Sequence, residues 1–313
     1  MTVKDIKKYK DINDSFSKEF IYHLGCEAGF FSEYNNMILA MLYCLKNHIR
    51  FSVYSKDANF SYSNGWNDYF KSFCEEKGNL LHRWFNKRPN PRFKNSCLRK
   101  IDQFLSDSFR SCNKDCLTLS DLWNDIRSLD IHTCNIPELG INGCLQDACR
   151  KMIQYTWHYN AQTNQIVSDY ISSLNLPSHY IGFHIRGGDK FVEAQLQNVD
   201  VYINKAQSLS VLRKAFVLTD DYSIIELLEK NYPEWTFYTL CKPNERGYFH
   251  QKFKKQSKEL IKHQHIKLFA SVDVLASSDL FIGTFSSNPG MYLGMRMDVD
   301  KTYSVDVPNW TIW

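Results

Sequence analysis

Residues 180–190 read Tyr-Ile-Gly-Phe-His-Ile-Arg-Gly-Gly-Asp-Lys, an apolar run that ends in a cluster of charged side chains. The β-branched and aromatic residues of 180–185 favour a buried strand. Arg186, Asp189 and Lys190 follow at once, around two glycines. In open α/β sheets, ligands bind just beyond the carboxyl ends of the strands. This stretch therefore predicts a strand that leads directly into a binding loop.

The rest of the second half alternates between strand and helix patterns. Strands are predicted at 215–218, 236–240 and 280–283, and helices at 222–231, at 272–277 and from Met291 onward. Such alternation is typical of a parallel sheet with crossover helices. We therefore predict a Rossmann-like domain over residues 176–313, after the break at residues 175–178.

The first half shows a related order of elements. A loop with two glycines at 25–29 precedes a helical pattern at 34–47, and 49–54 reads as a strand. Two interpretations of the loop remain open: an anion site made by backbone N–H groups, or a tight turn before a core helix. Residues 145–174 read as one or two helices, so residues 1–175 are predicted to form an N-terminal α/β domain.

Composition excludes several classes of protein. The chain has 313 residues, 43% of them apolar, and a net charge of +4, which suits two globular domains without a nucleic-acid-binding stripe. No apolar run approaches the roughly 20 residues of a membrane helix, and the first residues are polar rather than signal-like. We therefore expect a soluble or cytoplasmic protein. Its ten cysteines are expected to be reduced, with disulfides as the alternative.

Three strand ends of the second half carry polar residues and should meet at one edge of the sheet. They are the segments after residues 185, 218 and 283, with candidate binding residues His184, Arg186, Asp220, Asp221, Thr284, Ser286 and Ser287. Arginine binds phosphate in a bidentate manner, and the serine turn should add hydroxyls and free N–H groups at a helix N-terminus. The pattern suits a nucleoside diphosphate. The two aspartates could instead cap the following helix.

The same segments resemble a known family. Residues 184–190 are similar to the His-x-Arg-x-x-Asp-Lys segment of the α-1,6-fucosyltransferase superfamily, Thr219-Asp220-Asp221 to its Thr-Asp-Asp, and 279–288 to its Thr-Phe-Ser-Ser block. The superfamily includes core N-glycan and Nod-factor enzymes and, more distantly, protein O-fucosyltransferases. The resemblance implies a GT-B-like α/β fold, with two Rossmann-like domains facing a cleft and the N-terminal domain on the acceptor side. It also implies GDP-fucose as donor substrate, without a metal.

The resemblance also implies roles for individual residues. His184 would lie near the nucleotide base, while Arg186 and Ser287 would contact the β-phosphate. Glu193 would be the general base that takes the acceptor proton, and Arg186 would stabilise the leaving group. The residues implied near the transferred sugar and the acceptor are Asp189, Lys190 and Glu193, with Lys190 as the partner of the glutamate.

The chain departs from the family pattern at three positions. Gly187 stands where the core enzymes carry a second arginine, so one contact is missing or comes from Lys254, Lys255 or the 25–29 loop. Glu193 falls one residue early. Asp273 is the carboxylate expected to read guanine, although it lies near rather than at the family position.

The sequence thus predicts an inverting glycosyltransferase that moves fucose from GDP-fucose to a glycan hydroxyl. Two alternatives remain open: the same fold with another sugar nucleotide such as UDP-xylose, and a non-catalytic glycan-binding relative. The expected partners are a nucleotide-sugar donor and a glycan acceptor. No metal, nucleic acid or membrane span is expected.

Overall fold

The computed structural model describes residues 3–25, 28–78, 82, 97–98, 100–101, 104–105, 108, 112, 116–118, 133–187, 198–247 and 256–312. The chain divides into two compact units, an N-terminal unit up to Asn160 and a C-terminal unit of Ala161–Ile312. Each unit is built around a parallel β-sheet. The mixed α/β class that the sequence predicts is confirmed.

The N-terminal unit alternates strands and helices from its start. Its elements are α1 (Val3–Asp14), β1 (Lys18–His23), α2 (Phe30–Lys46), β2 (Ile49–Tyr54), β3 (Glu75–Glu76), β4 (Cys116–Thr118), β5 (Thr133–Ile136), β6 (Ile141–Cys144) and α3 (Leu145–Thr156). Strands β3, β2, β1 and β4 form a parallel sheet in that order. Strands β5 and β6 pair separately as an antiparallel ribbon.

Helix α2 forms the centre of the N-terminal core. The apolar residues that recur at helical spacing, among them Met37, Ile38 and Met41, are all buried. Helix α2 packs on β2 and on α3, and aromatic rings surround its first turn. This burial explains why a helix can follow the glycine loop directly.

The C-terminal unit is the doubly wound sheet that the sequence predicts. Its elements are α4 (Ala161–Ser173), β7 (Ile181–His184), α5 (Val199–Leu209), β8 (Lys214–Leu218), α6 (Ser223–Asn231), β9 (Thr236–Tyr238), α7 (Lys258–Ala276), β10 (Leu280–Gly283), α8 (Asn288–Arg296) and β11 (Thr302–Ser304). The strand order is β11-β10-β7-β8-β9, and every pair is parallel.

Helices cover both faces of this sheet. Residues of α5 and α6 join Ile181 and Phe183 of β7 in one buried cluster. On the other face α7 packs on β7, and a Cβ at Gly182 would stand 2.8 Å from Leu275 Cδ2. Because both faces are covered, all four residues of β7 are buried, as expected for a central parallel strand.

The division between the units falls between residues 160 and 161, whereas the sequence placed it after residue 175. Helix α4 packs on α7, and Val167 is buried. Among the helices of the described residues, none is long and apolar enough to cross a bilayer. Among the described residues, five buried cysteines are unpaired: Cys44, Cys74, Cys134, Cys149 and Cys241.

Candidate functional site

The strand order of the C-terminal unit reverses its direction beside β7. The chain runs from β7 to β8 and β9 on one side and then continues with β10 on the other side of β7. The carboxyl ends of β7 and β10 therefore lie side by side. Such reversal points are where open α/β sheets bind ligands. His184 and Gly283, the last residues of these two strands, lie at this reversal point.

His184 is buried at this reversal point, at the carboxyl end of β7. Only 4% of the residue is exposed, and its Nδ1 lies 3.5 Å from the Ser287 Oγ. Burial, reinforced by the positive charge of Arg186, lowers the pKa of His184 to about 3, although Asp306 acts in the opposite direction. The imidazole is therefore neutral at physiological pH and offers one hydrogen-bond donor and one acceptor.

Arg186 is the cation of the site. Its residue is half-buried, and its charge acts on His184, two residues before it. Within the part of the chain that the structure describes, its guanidinium forms no hydrogen bond or ion pair. A half-buried arginine of this kind can bind an anion in a bidentate manner without first breaking an internal ion pair.

The turn after β10 is held together by its own side chains. Ser287 is the N-cap of α8, and its Oγ accepts a hydrogen bond from the Gly290 N–H at 3.2 Å. The same Oγ donates to the Thr284 carbonyl at 2.8 Å, while the Thr284 Oγ1 donates to it at 3.0 Å. Ser287 thus links the turn to the helix and stands beside His184.

The N–H groups of this turn are not free, contrary to the sequence-based expectation. The Phe285 N–H donates to Asp306 Oδ1 at 2.9 Å, and the Ser286 N–H donates to Asp306 Oδ2 at 3.1 Å. The Ser286 side chain hydrogen-bonds the same carboxylate. Asp306 lies just after β11, and no sequence motif marks it as a functional residue.

Gly187 and the two aspartates after β8 form the other side of the site. The Gly187 N–H donates to Asp220 Oδ1 at 2.7 Å. Asp221 Oδ1 accepts hydrogen bonds from the Ser223 N–H and hydroxyl, at 2.9 and 2.7 Å. Asp221 thus bonds to the first residue of α6, and Asp220 accepts a hydrogen bond from the loop after β7.

Asp273 is not brought into this group. It lies one turn before the end of α7, and its Oδ1 pairs with Arg296 Nη1 at 2.5 Å. The next carbonyl, that of Val274, accepts a hydrogen bond from the Tyr180 hydroxyl at the amino end of β7. Asp273 is therefore on the side of the sheet away from the carboxyl ends of the strands, in a structural ion pair.

The predicted catalytic residues Asp189, Lys190 and Glu193 lie outside the described residues, as do Lys254 and Lys255. In the glycine loop of the N-terminal unit, the Gly25 N–H donates to the buried Glu33 Oε2 at 2.9 Å. Because an internal carboxylate accepts this N–H, the tight-turn interpretation fits the loop better than an anion site. Across the described ranges, no group of three or more His, Cys, Asp or Glu side chains is placed to hold a metal ion.

Known proteins share both motif and fold with this chain. Residues 149–290 match the family described as alpha-(1,6)-fucosyltransferase N- and catalytic domains. NodZ alpha-1,6-fucosyltransferase soaked with GDP-fucose superimposes with a TM-score of 0.53 at 14% identity, covering 90% of this chain and 93% of that chain. NodZ from Bradyrhizobium gives 0.53 at 13% identity, covering 90% and 94%.

A mutant of Arabidopsis thaliana FUT1 in complex with GDP has a TM-score of 0.50 at 12% identity, covering 94% of this chain and 73% of that chain. No curated protein matches the sequence. At identities this low the superpositions show the fold, and the family match over 149–290 confirms the resemblance seen in the motifs.

Proposed function

Since residues 149–290 are α-1,6-fucosyltransferase-like, we propose that this protein is a glycosyltransferase that transfers fucose from GDP-fucose to a glycan hydroxyl. The fold supports the proposal. Of the similar structures, that of NodZ comes from a crystal soaked with GDP-fucose, and that of the FUT1 mutant is a complex with GDP. The N-terminal unit is proposed to contribute the acceptor side.

One observation carries the proposal: a half-buried arginine stands at the reversal point of the C-terminal sheet. Arg186 follows β7 directly, beside a neutral buried His184 and the Ser287 cap. When the bond between the sugar and the diphosphate breaks, negative charge grows on the diphosphate. A guanidinium held in a low-dielectric site stabilises that charge in the transition state.

The proposed reaction inverts the anomeric centre. The acceptor oxygen forms the new bond to the anomeric carbon, the bond from that carbon to the phosphate oxygen breaks, and GDP leaves with the electron pair. Glu193 is the proposed base for the acceptor proton, with Lys190 as its proposed partner, and Asp189 is a further residue proposed to act near the transferred sugar. No metal is part of the proposal, since Arg186 supplies the positive charge at the leaving group.

A second sugar nucleotide is the alternative that one observation favours. Position 187, where the core enzymes have an arginine, is a glycine packed against Asp221, so this chain contacts its donor differently there. UDP-xylose is one such candidate. A glycan-binding relative without turnover remains the other alternative, and it predicts carbohydrate binding without nucleotide binding.

Thermal stabilisation with a nucleotide panel tests the donor. A ligand that binds the native state raises the melting temperature. At a ligand concentration of 100 times Kd, the free energy of unfolding increases by about 2.7 kcal/mol. We expect stabilisation by GDP and GDP-fucose that persists in EDTA. Stabilisation by UDP alone would replace the donor, and a loss of the effect in EDTA would contradict metal independence.

Arg186→Ala tests the residue that carries the proposal. Loss of a charge-assisted phosphate contact should weaken GDP binding by roughly 10- to 100-fold, and Arg186→Lys should recover only part of it. Calorimetric titration with GDP measures both. The matched control is Lys230→Ala, which removes an exposed positive charge from the last turn of α6. Equal GDP affinity in the parent and Arg186→Ala would refute the assigned role.

A further inference from the structure

Asp306 accepts hydrogen bonds from two consecutive backbone N–H groups of the turn after β10. Its Oδ1 accepts from the Phe285 N–H at 2.9 Å, from the Ser304 hydroxyl at 2.6 Å and from the Val307 N–H at 2.9 Å. Its Oδ2 accepts from the Ser286 N–H at 3.1 Å. The carboxylate thereby joins the loop after β11 to the turn after β10.

Two neighbouring groups show how close this carboxylate lies to the donor site. Its negative charge opposes the effect of Arg186 on the pKa of His184. It also adds to burial in raising the pKa of Tyr202, a buried residue of α5. The burial of Asp306 favours its neutral form, but the hydrogen bonds from Ser286 and its neighbours outweigh that effect and lower its pKa.

A direct role in reading the nucleotide base does not fit this geometry. A carboxylate has about four acceptor positions, and Phe285, Ser286, Ser304 and Val307 already donate hydrogen bonds to its two oxygens. Asp306 also does more than occupy, as an anion, the place of a phosphate at the N-terminus of α8. The Phe285 and Ser286 N–H groups precede the Ser287 cap, so their fixation sets where the cap and helix α8 begin.

We propose that Asp306 is a positioning residue of the donor site, which fixes the turn at 284–287 so that this turn and Arg186 meet the terminal phosphate of a nucleoside diphosphate. The inference rests on the proposed function, because it deepens the role of the same site. Asp306 touches neither the donor nor the reacting atoms. It acts through the turn, and its effect is therefore confined to the phosphate that the turn contacts.

Asp306→Asn tests this role in the full chain. The amide keeps one oxygen but places an NH₂ group opposite an N–H donor, so the turn must move. We expect Kd for GDP to rise by about tenfold and Kd for GMP, which lacks the terminal phosphate, to change by less than about threefold. The matched control is Asp300→Asn, an exposed aspartate before β11, which should leave both Kd values unchanged.

Each outcome decides the inference. An equal loss for GDP and GMP shows a general structural effect and overturns it, as does tighter GDP binding, because that means the carboxylate only repels the diphosphate. If Asp306→Asn does not fold, Ser304→Ala removes one donor from Oδ1 while keeping the charge, and should weaken GDP binding by about threefold without affecting GMP.

Repeating the comparison with UDP and UMP tests the identity of the donor separately from the positioning role of Asp306. A parent protein that binds UDP rather than GDP contradicts GDP-fucose as the donor, yet the diphosphate-over-monophosphate effect of Asp306→Asn still supports the positioning role. A parent protein that binds GDP, with Asp306→Asn equal to it, retains the proposed function and refutes the inference. A parent that binds no nucleotide refutes both.

Discussion

At the scale of single residues, burial sets the chemistry of His184. An exposed histidine has an ordinary pKa of 6.5, but burial beside Arg186 lowers that of His184 to about 3. The side chain is therefore a neutral hydrogen-bonding group and does not act as a cation toward phosphate at physiological pH. The positive charge of the site comes from Arg186 alone among the site residues that the structure describes.

This protonation state predicts a pH dependence of stability. Between pH 4 and 6.5 the unfolded chain binds a proton at His184 that the folded chain rejects, so stability rises with pH in that window. One such histidine adds up to about 1.4 kcal/mol per pH unit to the free energy of unfolding. Burial lowers the pKa of His265 to about 4, and that residue adds to the same trend.

Urea unfolding of the parent and of His184→Asn, from pH 4 to 7.5, measures this dependence. The variant should show a smaller slope of unfolding free energy against pH below pH 6.5. An unchanged slope in His184→Asn would mean that another group titrates. GDP affinity should show no change from the titration of His184 between pH 5 and 8.

At the scale of elements, the loop after β7 and the loop after β8 are in close contact. A Cβ at Gly187 would stand 2.8 Å from the Asp221 Cβ, and Asp221 is itself fixed by its two hydrogen bonds from Ser223. A longer side chain at this position has no room unless one loop moves. The glycine at position 187, where the resembled family has an arginine, is thus matched to the position of Asp221 in the loop after β8.

Gly187→Ala should therefore destabilise the protein by about 1–3 kcal/mol, the usual cost of overpacking. Gly29→Ala is the matched control, since a Cβ there meets no heavy atom within 4 Å and the φ of −67° suits alanine. Chemical denaturation measures both. Equal stability of Gly187→Ala and the parent would show that the loops separate easily, and an arginine at 187 would then be tolerated.

Helix α7 shows where element prediction from the sequence was incomplete. The sequence placed a helix only at 272–277, but α7 already begins at Lys258. The lysines of α7 interrupt the apolar pattern that would predict a helix. Ile266, Phe269 and Ala270 are nevertheless fully buried in the C-terminal unit. Packing of these apolar residues on the sheet, rather than the local composition, stabilises the longer helix.

At the scale of the whole molecule, α4 decides where the second unit begins. The helix packs on α7, and the Lys262 ammonium donates to the Gln162 Oε1 at 3.3 Å. The unit of 161–312 has its own buried core on the central sheet. It is of ordinary size for a domain that folds alone.

A fragment of residues 161–312 should therefore unfold cooperatively and be stabilised by GDP. A fragment of 176–312, which starts at the boundary that the sequence suggested, lacks α4 and exposes the part of α7 that α4 covers. We expect its melting temperature to be at least about 5 °C lower, because roughly 2 kcal/mol of burial is lost. Equal melting temperatures would favour the boundary after residue 175.

The sequence by itself determined the positions of β2 and β10, the alternation of strands and helices, and the loops that carry Arg186 and Ser287. These features depend on local periodicity and on which residues follow a strand, and both are written in consecutive residues. Tertiary structure decided which groups meet: Asp306 with the turn at 284–287, Gly187 with Asp221, and α4 with α7. Hydrogen-bond partners and close packing depend on distances between segments far apart in the chain, which one sequence does not contain.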